Sequence, residues 1–245
     1  SRKEACSKIG IGLRQFRRVV NQEYPASFEV LNNLQSYLGE GQMLEIVPVF
    51  TNKHRDIIMP QHLTPPLAQI FGYFLGDGNL EERSLRFRDA RIGVLNCYNQ
   101  YFNELFNLSG TITKVKDKNC FSLDINSSDV RELFRFMLPN ILNEVARSKI
   151  DAVNAFIKGF VDAEGHISKK RAHITIAQKN PLVLRYIQMF LLRSGIRSTI
   201  KFDIGRKSMN VLRITDKDVA KYLQIGFTAE DKQIRLIDCI NSIRK

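Results

Sequence analysis

Apolar residues along this chain follow two spacings that alternate in the same order twice. The first block, Leu67-Ala68-Gln69-Ile70-Phe71-Gly72-Tyr73-Phe74-Leu75-Gly76-Asp77, is almost unbroken in its apolar character. Thr64 stands ahead of it as an N-cap, and Pro65-Pro66 occupy the first helical positions, where a missing N–H matters little. The pattern predicts a helix over 67–77, closed by Gly78 in a left-handed C′ position. The second block, Ile157-Lys158-Gly159-Phe160-Val161-Asp162-Ala163-Glu164-Gly165, has the same form: small residues four apart, then an acid followed by glycine. After each block the period falls to two. Leu85-Arg86-Phe87-Arg88 and His173-Ile174-Thr175-Ile176 alternate apolar and polar, as strands with one covered face do.

The order of elements also repeats. A helix over 98–108 leads to Ser109-Gly110, and one over 182–192 leads to Ser194-Gly195. Two strands joined by a polar turn follow in each copy, 111–116 with 120–125 and 197–204 with 209–214. Asp129-Val130 and Asp218-Val219 then open another helix. The paired acids, Ser-Gly glycines and Asp-Val valines are offset by 87, 85 and 89 positions, so the chain reads as a duplication.

Gly72 with Gly76, and Gly159 with Ala163, each lie on one helix face, where small residues let two backbones approach closely. Both runs are too short to cross a bilayer. Packing through these faces sets Asp77 beside Glu164. Each acid then sits at the negative end of a helix dipole and next to a like charge, and a hard divalent cation offsets both effects. Mg²⁺ is commonly held by one or two carboxylates with water and phosphate oxygens completing its shell. One such acid alone reads as a solvated residue ending a core helix; the matched pair points to metal.

Composition adds a partner. Thirty-seven Lys and Arg against 25 Asp and Glu give a net charge of +12 and a pI near 9.7, a balance that favours polyanions. Arg86 and Arg88, His173 and Thr175 alternate with apolar residues. Lys114, Lys116, Lys201 and Arg213 lie in the companion strands, and Arg83 and Arg171 precede the alternating ones. Any one of these strands reads equally well as a solvated face; four in two matched pairs favour a surface for double-stranded DNA, whose major groove admits a two-stranded ribbon. No signal peptide opens the chain and no apolar run spans a membrane. Cys6, Cys97, Cys120 and Cys239 lack CxxC spacing, which favours thiols in a reducing compartment, and the four histidines lack metal-ligand spacing. A cytoplasmic, nucleoid-associated protein follows as the expectation. No P-loop and no Ser or Cys triad signature is present, so the carboxylates carry the catalytic signal.

Ahead of the repeat, Ser1 and Glu4 suggest a capping box and a helix to about Ile9. Gly10-Ile11-Gly12 turns into a second helix over 13–21 with Arg14, Arg17 and Arg18, and a third over 27–38 ends at Gly39-Glu40-Gly41. Residues 43–50 and 55–59 read as strands. Helix, glycine turn and basic helix suggest a helix-turn-helix; a helical packing extension fits the pattern equally.

The two blocks resemble the LAGLIDADG motif of homing endonucleases. The terminal D-G of that pattern is Asp77-Gly78 in the first copy. Glu164-Gly165 replaces it in the second, an exchange of acids that the family tolerates. Phe156-Ile157-Lys158-Gly159 is similar to the entry into the second motif of single-chain archaeal members. The resemblance covers roughly residues 61–245. It implies an α+β fold, a pseudo-two-fold pair of αββαββα half-domains over 61–148 and 149–245, with residues 1–60 as a mainly helical extension. The motif helices would form the interface, and two curved sheets a saddle over DNA. The implied activity is Mg²⁺-dependent, site-specific cleavage of both DNA strands by a monomer on an asymmetric target. Asp77 and Glu164, with Gly76 and Ala163 beside them, would hold two or more Mg²⁺ ions. Gln178 matches the family's glutamine by position, with no clear first-half partner. Lys149 and Lys232 are candidates for the family's lysine, and each reads equally as a surface lysine. Two other functions share the fold: a non-cleaving transcription regulator, against which retention of both acids argues, and an RNA-splicing maturase. Splicing by the chain itself is not expected, because Ile243-Arg244-Lys245 lacks the His-Asn pair of self-splicing chains.

Overall fold

The computed structural model describes residues 2–20, 30, 33, 49–52, 55–168, 172–204, 209–215 and 217–243. Helices α1 (Arg2–Ile9) and α2 (Leu13–Val20) precede a hairpin of β1 (Val49–Asn52) and β2 (Arg55–Ile58). The first half follows as α3 (Pro65–Asp77), β3 (Gly78–Leu80), β4 (Leu85–Asp89), α4 (Ile92–Phe106), β5 (Thr111–Lys114), β6 (Phe121–Ile125), α5 (Ser128–Met137) and α6 (Ile141–Arg147). The second half runs α7 (Ile150–Glu164), β7 (Gly165–Ile167), β8 (His173–Gln178), α8 (Pro181–Arg193), β9 (Thr199–Ile204), β10 (Met209–Thr215), α9 (Lys217–Lys221) and α10 (Glu230–Ile243). Each half contains a four-stranded antiparallel sheet. Their orders, β3-β4-β6-β5 and β7-β8-β10-β9, match strand for strand, so the pseudo-two-fold α+β architecture expected from the repeat is present.

Strand register decides which side chains share a face. Leu85, Phe87, Leu123 and Ile125 line the inner face of the first sheet, and Ile174, Ile176, Leu212 and Ile214 that of the second; all are fully buried. The packing inside the two halves differs. In the first, Phe134 of α5 packs against Phe71, Phe74 and Phe102, and Phe87 meets Phe102 edge-on. In the second, aliphatic side chains dominate, joined by Phe156 and Phe190 in an edge-to-face pair. The hairpin packs on the first half, where β2 lies against α4, and Ile57 and Met59 are buried.

Helices α3 and α7 meet through their small residues. A Cβ on Gly72 would fall inside the main-chain carbonyl of Phe156, and one on Gly159 inside that of Gln69. These contacts are one interaction seen from either side of the pseudo-two-fold axis. The termini of the two helices correct the reading of Gly78. It is extended, with φ −82 and ψ 153, and Gly165 matches it with φ −82 and ψ 140. Both helices pass directly into a strand, which folds back over the last helical turn. Glycine fits there because a Cβ would overlap Phe74 in one half and Val161 in the other.

Some boundaries move. The helix read over 98–108 begins at Ile92, and β5 ends at Lys114, leaving Lys116 in a turn where Asp117 takes φ 58. Ser127 caps α5 by accepting from the Val130 amide at 3.3 Å. Ser1 and its capping box, the 27–38 helix apart from the helical residues Val30 and Asn33, and the stretch 43–48 lie outside the described residues.

Candidate active site and nucleic-acid interface

Where the paired helices end, their backbones are still in contact. A Cβ on Gly76 would lie 2.6 Å from Ala163 Cβ and 3.1 Å from Glu164 Cγ. The two acids therefore emerge together, Asp77 exposed at the rim and Glu164 half-buried. Although Asp77 reaches solvent, partial desolvation by the surrounding protein, then the nearby Asp89 charge, raises its carboxyl above the usual range, against opposing pulls from Lys232 and Arg91. Burial and then the Asp77 charge push Glu164 up to about 7, against the same lysine. Gln178 Nε2 donates to Glu164 Oε1 at 3.3 Å. Among the described residues no three His, Cys, Asp or Glu side chains cluster as a metal cage. The site offers two carboxylates that destabilise each other's charge, an oxygen set that fits a hard divalent cation whose remaining ligands come from water and phosphate.

Register identifies the first-half counterpart of Gln178 that sequence left open. Gly78 pairs with Phe87 and Gly165 with Ile176, so two residues further on Asp89 stands where Gln178 does. Asp89 is buried. It accepts from the Tyr73 hydroxyl at 2.7 Å, the Arg91 amide at 2.8 Å, and Arg91 Nε and Nη2 at 2.7 Å each. Burial alone would raise its carboxyl, but the hydrogen bonds from Arg91 and Tyr73 outweigh that and hold it below the ordinary value. The pseudo-two-fold site is thus chemically asymmetric, with an amide on one side and a neutralised acid on the other.

Arg91 also bridges the halves, reaching the Asp162 carbonyl at 3.3 Å and Asp231 Oδ1 at 3.6 Å. Asp162, inside the second motif, is fully buried. Its carboxylate accepts from the Thr228 amide at 3.0 Å and the Ala229 amide at 3.4 Å, just ahead of α10. Gln69 Nε2 donates to Thr228 Oγ1 at 2.6 Å, tying the same point to α3. The start of α10 is therefore pinned to the last turn of α7 and to the N-terminal part of α3, and it carries Lys232 with it. Lys232 Nζ donates to the Asp162 carbonyl at 2.6 Å and the Val161 carbonyl at 3.3 Å. Burial, with the Arg91 charge second, draws its ammonium down to about 8.

Lys149 does not join this group. It precedes α7, whose 15 residues separate it from Glu164 by roughly 22 Å. Counting residues from each acid misaligned the halves, because Lys149 lies beyond α6 whereas Lys232 lies in the first turn of α10. Asp89, Arg91, Tyr73, Asp162 and Thr228 were missed in the sequence. Only Asp89 had a signal there, as the end of a strand whose partner ends in Gln178.

On the outer sheet faces, Arg86 and Arg88 point away from the core, and Arg88 is exposed. Arg86 is half-buried between Asp124 at 2.6 Å and Glu81 at 2.7 Å, and Arg83 is exposed in the β3–β4 turn. In the second half, Thr175 pairs with Arg213 and His173 with Thr215, while Lys201 pairs with Val211 opposite Ala177; His173, Thr175, Lys201 and Arg213 share the outer face. Lys114 does not share its own. It pairs with Phe121, opposite Asp89, and so has the core-side parity, leaving Thr111 and Thr113 as the outward residues of β5. Lys116 is displaced to the turn. Arg171 lies outside the described residues.

Close-packed helices ending in adjacent acids, with two matched four-stranded sheets, are the pseudo-two-fold arrangement of the LAGLIDADG fold on a single chain. A family model described as a LAGLIDADG-like domain matches residues 151–225. Homing endonuclease I-DmoI of Desulfurococcus mucosus is 28% identical over 169 residues, 64% of this chain and 84% of that protein. A crystal structure of an I-DmoI variant with its target DNA and manganese superposes with a TM-score of 0.55 at 25% identity, over 66% of this chain and 93% of that one. The chain is thus similar to a LAGLIDADG homing endonuclease over most of that protein's length, and its second half matches the family model. It is also 37% identical over 202 residues to glutamine–fructose-6-phosphate aminotransferase of Methanocaldococcus jannaschii, covering 76% of this chain but 18% of that protein. WhiA from Thermatoga maritima shares the fold, with a TM-score of 0.55 at 17% identity over 76% of this chain and 62% of that one.

Proposed function

We propose that this chain is a divalent-metal-dependent, site-specific DNA endonuclease that cuts both strands of an asymmetric target as a monomer. The observation that carries the reading is the forced proximity of Asp77 and Glu164. Their helices are locked together by Gly72, Gly76, Gly159 and Ala163, and Glu164 is pushed up to about 7 by burial and its neighbour. A protein keeps such an arrangement where a cation resolves it. Asp77 and Glu164 would hold the metal, preferably Mg²⁺, with the chain at Gly76 and Ala163 beside them. When bound, the cation would neutralise phosphate charge and make the attacking water more acidic.

The protein's own groups have separable roles. Gln178 orients the Glu164 carboxylate through its amide hydrogen bond. Lys232, with its ammonium near 8 and within electrostatic reach of both acids, supplies positive charge to a phosphate approaching the helix ends. Arg91 keeps the Asp89 charge satisfied, so that it does not add a third free carboxylate. The outer faces, with Arg88, His173, Thr175, Lys201 and Arg213, would lie along the duplex.

The aminotransferase likeness supports the same reading. Its matched stretch and that of I-DmoI each cover so much of this chain that they overlap, yet the stretch is 18% of the aminotransferase and 84% of the endonuclease. The shared unit is therefore taken to be the nuclease module and not aminotransferase chemistry. The test is incubation with Mg²⁺ and a plasmid library bearing candidate insertion-site sequences, followed by mapping of double-strand breaks. Breaks at one recurrent sequence support the proposal. Tight binding to one sequence without cleavage would replace it with a non-cleaving regulator, and activity confined to RNA with a maturase. An obligate dimer on DNA by sedimentation would overturn the monomer reading.

A further inference from the structure

Residues 2–20 carry a surface that the acids and the two sheets leave unused. Helices α1 and α2 are joined by Gly10-Ile11-Gly12, where Gly10 takes φ +78 and the Ile11 amide donates to the Cys6 carbonyl at 3.0 Å. Cys6, Ile9 and the helical Val30 are buried, and Asn33 Nδ2 donates to the Ile9 carbonyl at 3.0 Å. Val30 and Asn33 thus lie against the turn. Along α2, Leu13 and Phe16 are half-buried, while Arg14 and Arg17, one turn apart, are exposed. Residues 1–20 hold six basic side chains and one acid, Glu4, and that acid belongs to α1, 3.7 Å from Lys8. Helix α2 has no acidic residue.

We propose that α2 is a second DNA-contacting element, seating Arg14 and Arg17 on duplex phosphates in addition to the contacts of the two sheets. A helix, a glycine turn and a second, basic helix is the arrangement that brings a second helix to a groove. Arg14 and Arg17 stand in solvent on a helix that carries no acid to offset them, which suits a polyanion. The inference rests on the DNA-binding part of the proposed function and not on cleavage.

The experiment is a salt titration of affinity for random-sequence duplex DNA, without divalent cation, on the full chain. Each phosphate contact contributes about 0.9 to the slope of log affinity against log salt. Arg14→Gln/Arg17→Gln should therefore make the slope shallower by about 1 to 2. Arg14→Lys/Arg17→Lys should restore it, because charge and not guanidinium geometry is what phosphate contact needs. Arg135→Gln/Arg147→Gln, the same charge change at exposed positions on α5 and α6, should leave it unaltered. A slope in the double glutamine variant equal to wild type overturns the proposal. So does failure of the lysine pair to restore it, which would mark a folding effect. Wild-type protein that does not bind duplex at all would instead overturn the DNA-binding reading.

Discussion

Replacing Glu164 by glutamine isolates the electrostatic conflict at the helix ends. In the folded protein the carboxyl titrates near 7 against an ordinary 4.5. Because the folded value is raised, the native state holds the proton more tightly than the unfolded chain. Stability is therefore unaffected below about pH 4.5 and falls as pH rises through 7. At about 1.4 kcal/mol per tenfold change, that interval bounds the penalty at about 3.5 kcal/mol. Glu164 still reaches solvent, which screens the interaction, so about 1 kcal/mol is the working magnitude. Glutamine removes the charge and keeps an oxygen to accept from Gln178. Metal-free Glu164→Gln should therefore melt at the wild-type temperature near pH 4.5 and about 2–4 °C above it at pH 8. The assay is a set of melts in chelator across that range, paired with cleavage in Mg²⁺, which the substitution should abolish while DNA binding persists. A gap independent of pH, or a variant less stable than wild type at pH 8, would refute the conflict. Cleavage at the wild-type rate would refute the catalytic role.

Gly159→Ala should lower unfolding free energy by about 1–3 kcal/mol in denaturant titrations, since its Cβ has no room against the Gln69 carbonyl; Gly72→Ala should match it across the pseudo-two-fold axis. Asp162→Ala strips the acceptor from the Thr228 and Ala229 amides and should cost about 1–3 kcal/mol. It should also slow cleavage more than it weakens DNA binding, because the start of α10 carries Lys232. Lys232→Met should reduce single-turnover cleavage at least tenfold with little effect on affinity, whereas Lys149→Met, at the far end of α7, should leave the rate unchanged; equal effects would reassign the lysine role.

How far the chain was legible depended on whether the signal was local. The two apolar runs, their small residues four apart and the terminal acids are properties of neighbouring positions. With the repeat of order, they were enough to specify the helix pair, the two matched sheets and the meeting of Asp77 with Glu164. The alternation of β8 likewise placed His173 and Thr175 on one face. Local pattern failed where one residue of register changes the outcome. Lys114 belongs to a strand with a suitable composition, but its pairing with Phe121 gives it the opposite face. Gly78 looked like a helix stop with left-handed geometry, and only the fold-back over Phe74 revealed that close contact is what demands glycine.

The groups that tune the acids were further from reach. Tyr73, Asp89 and Arg91 come from a helix, a strand end and the turn after it, and Asp162 acts through amides 66 and 67 positions away. Nothing in their immediate sequence distinguishes a buried, satisfied carboxylate from a solvated one. The difference is created by desolvation and by donors that only packing brings within 3 Å. The sequence by itself determined that two carboxylates would be held together, because the helix faces that hold them are written in consecutive residues. Their charge states, and the choice of Lys232 over Lys149 beside them, were decided by the tertiary structure, because both depend on distances between segments that the chain connects only through its folded core.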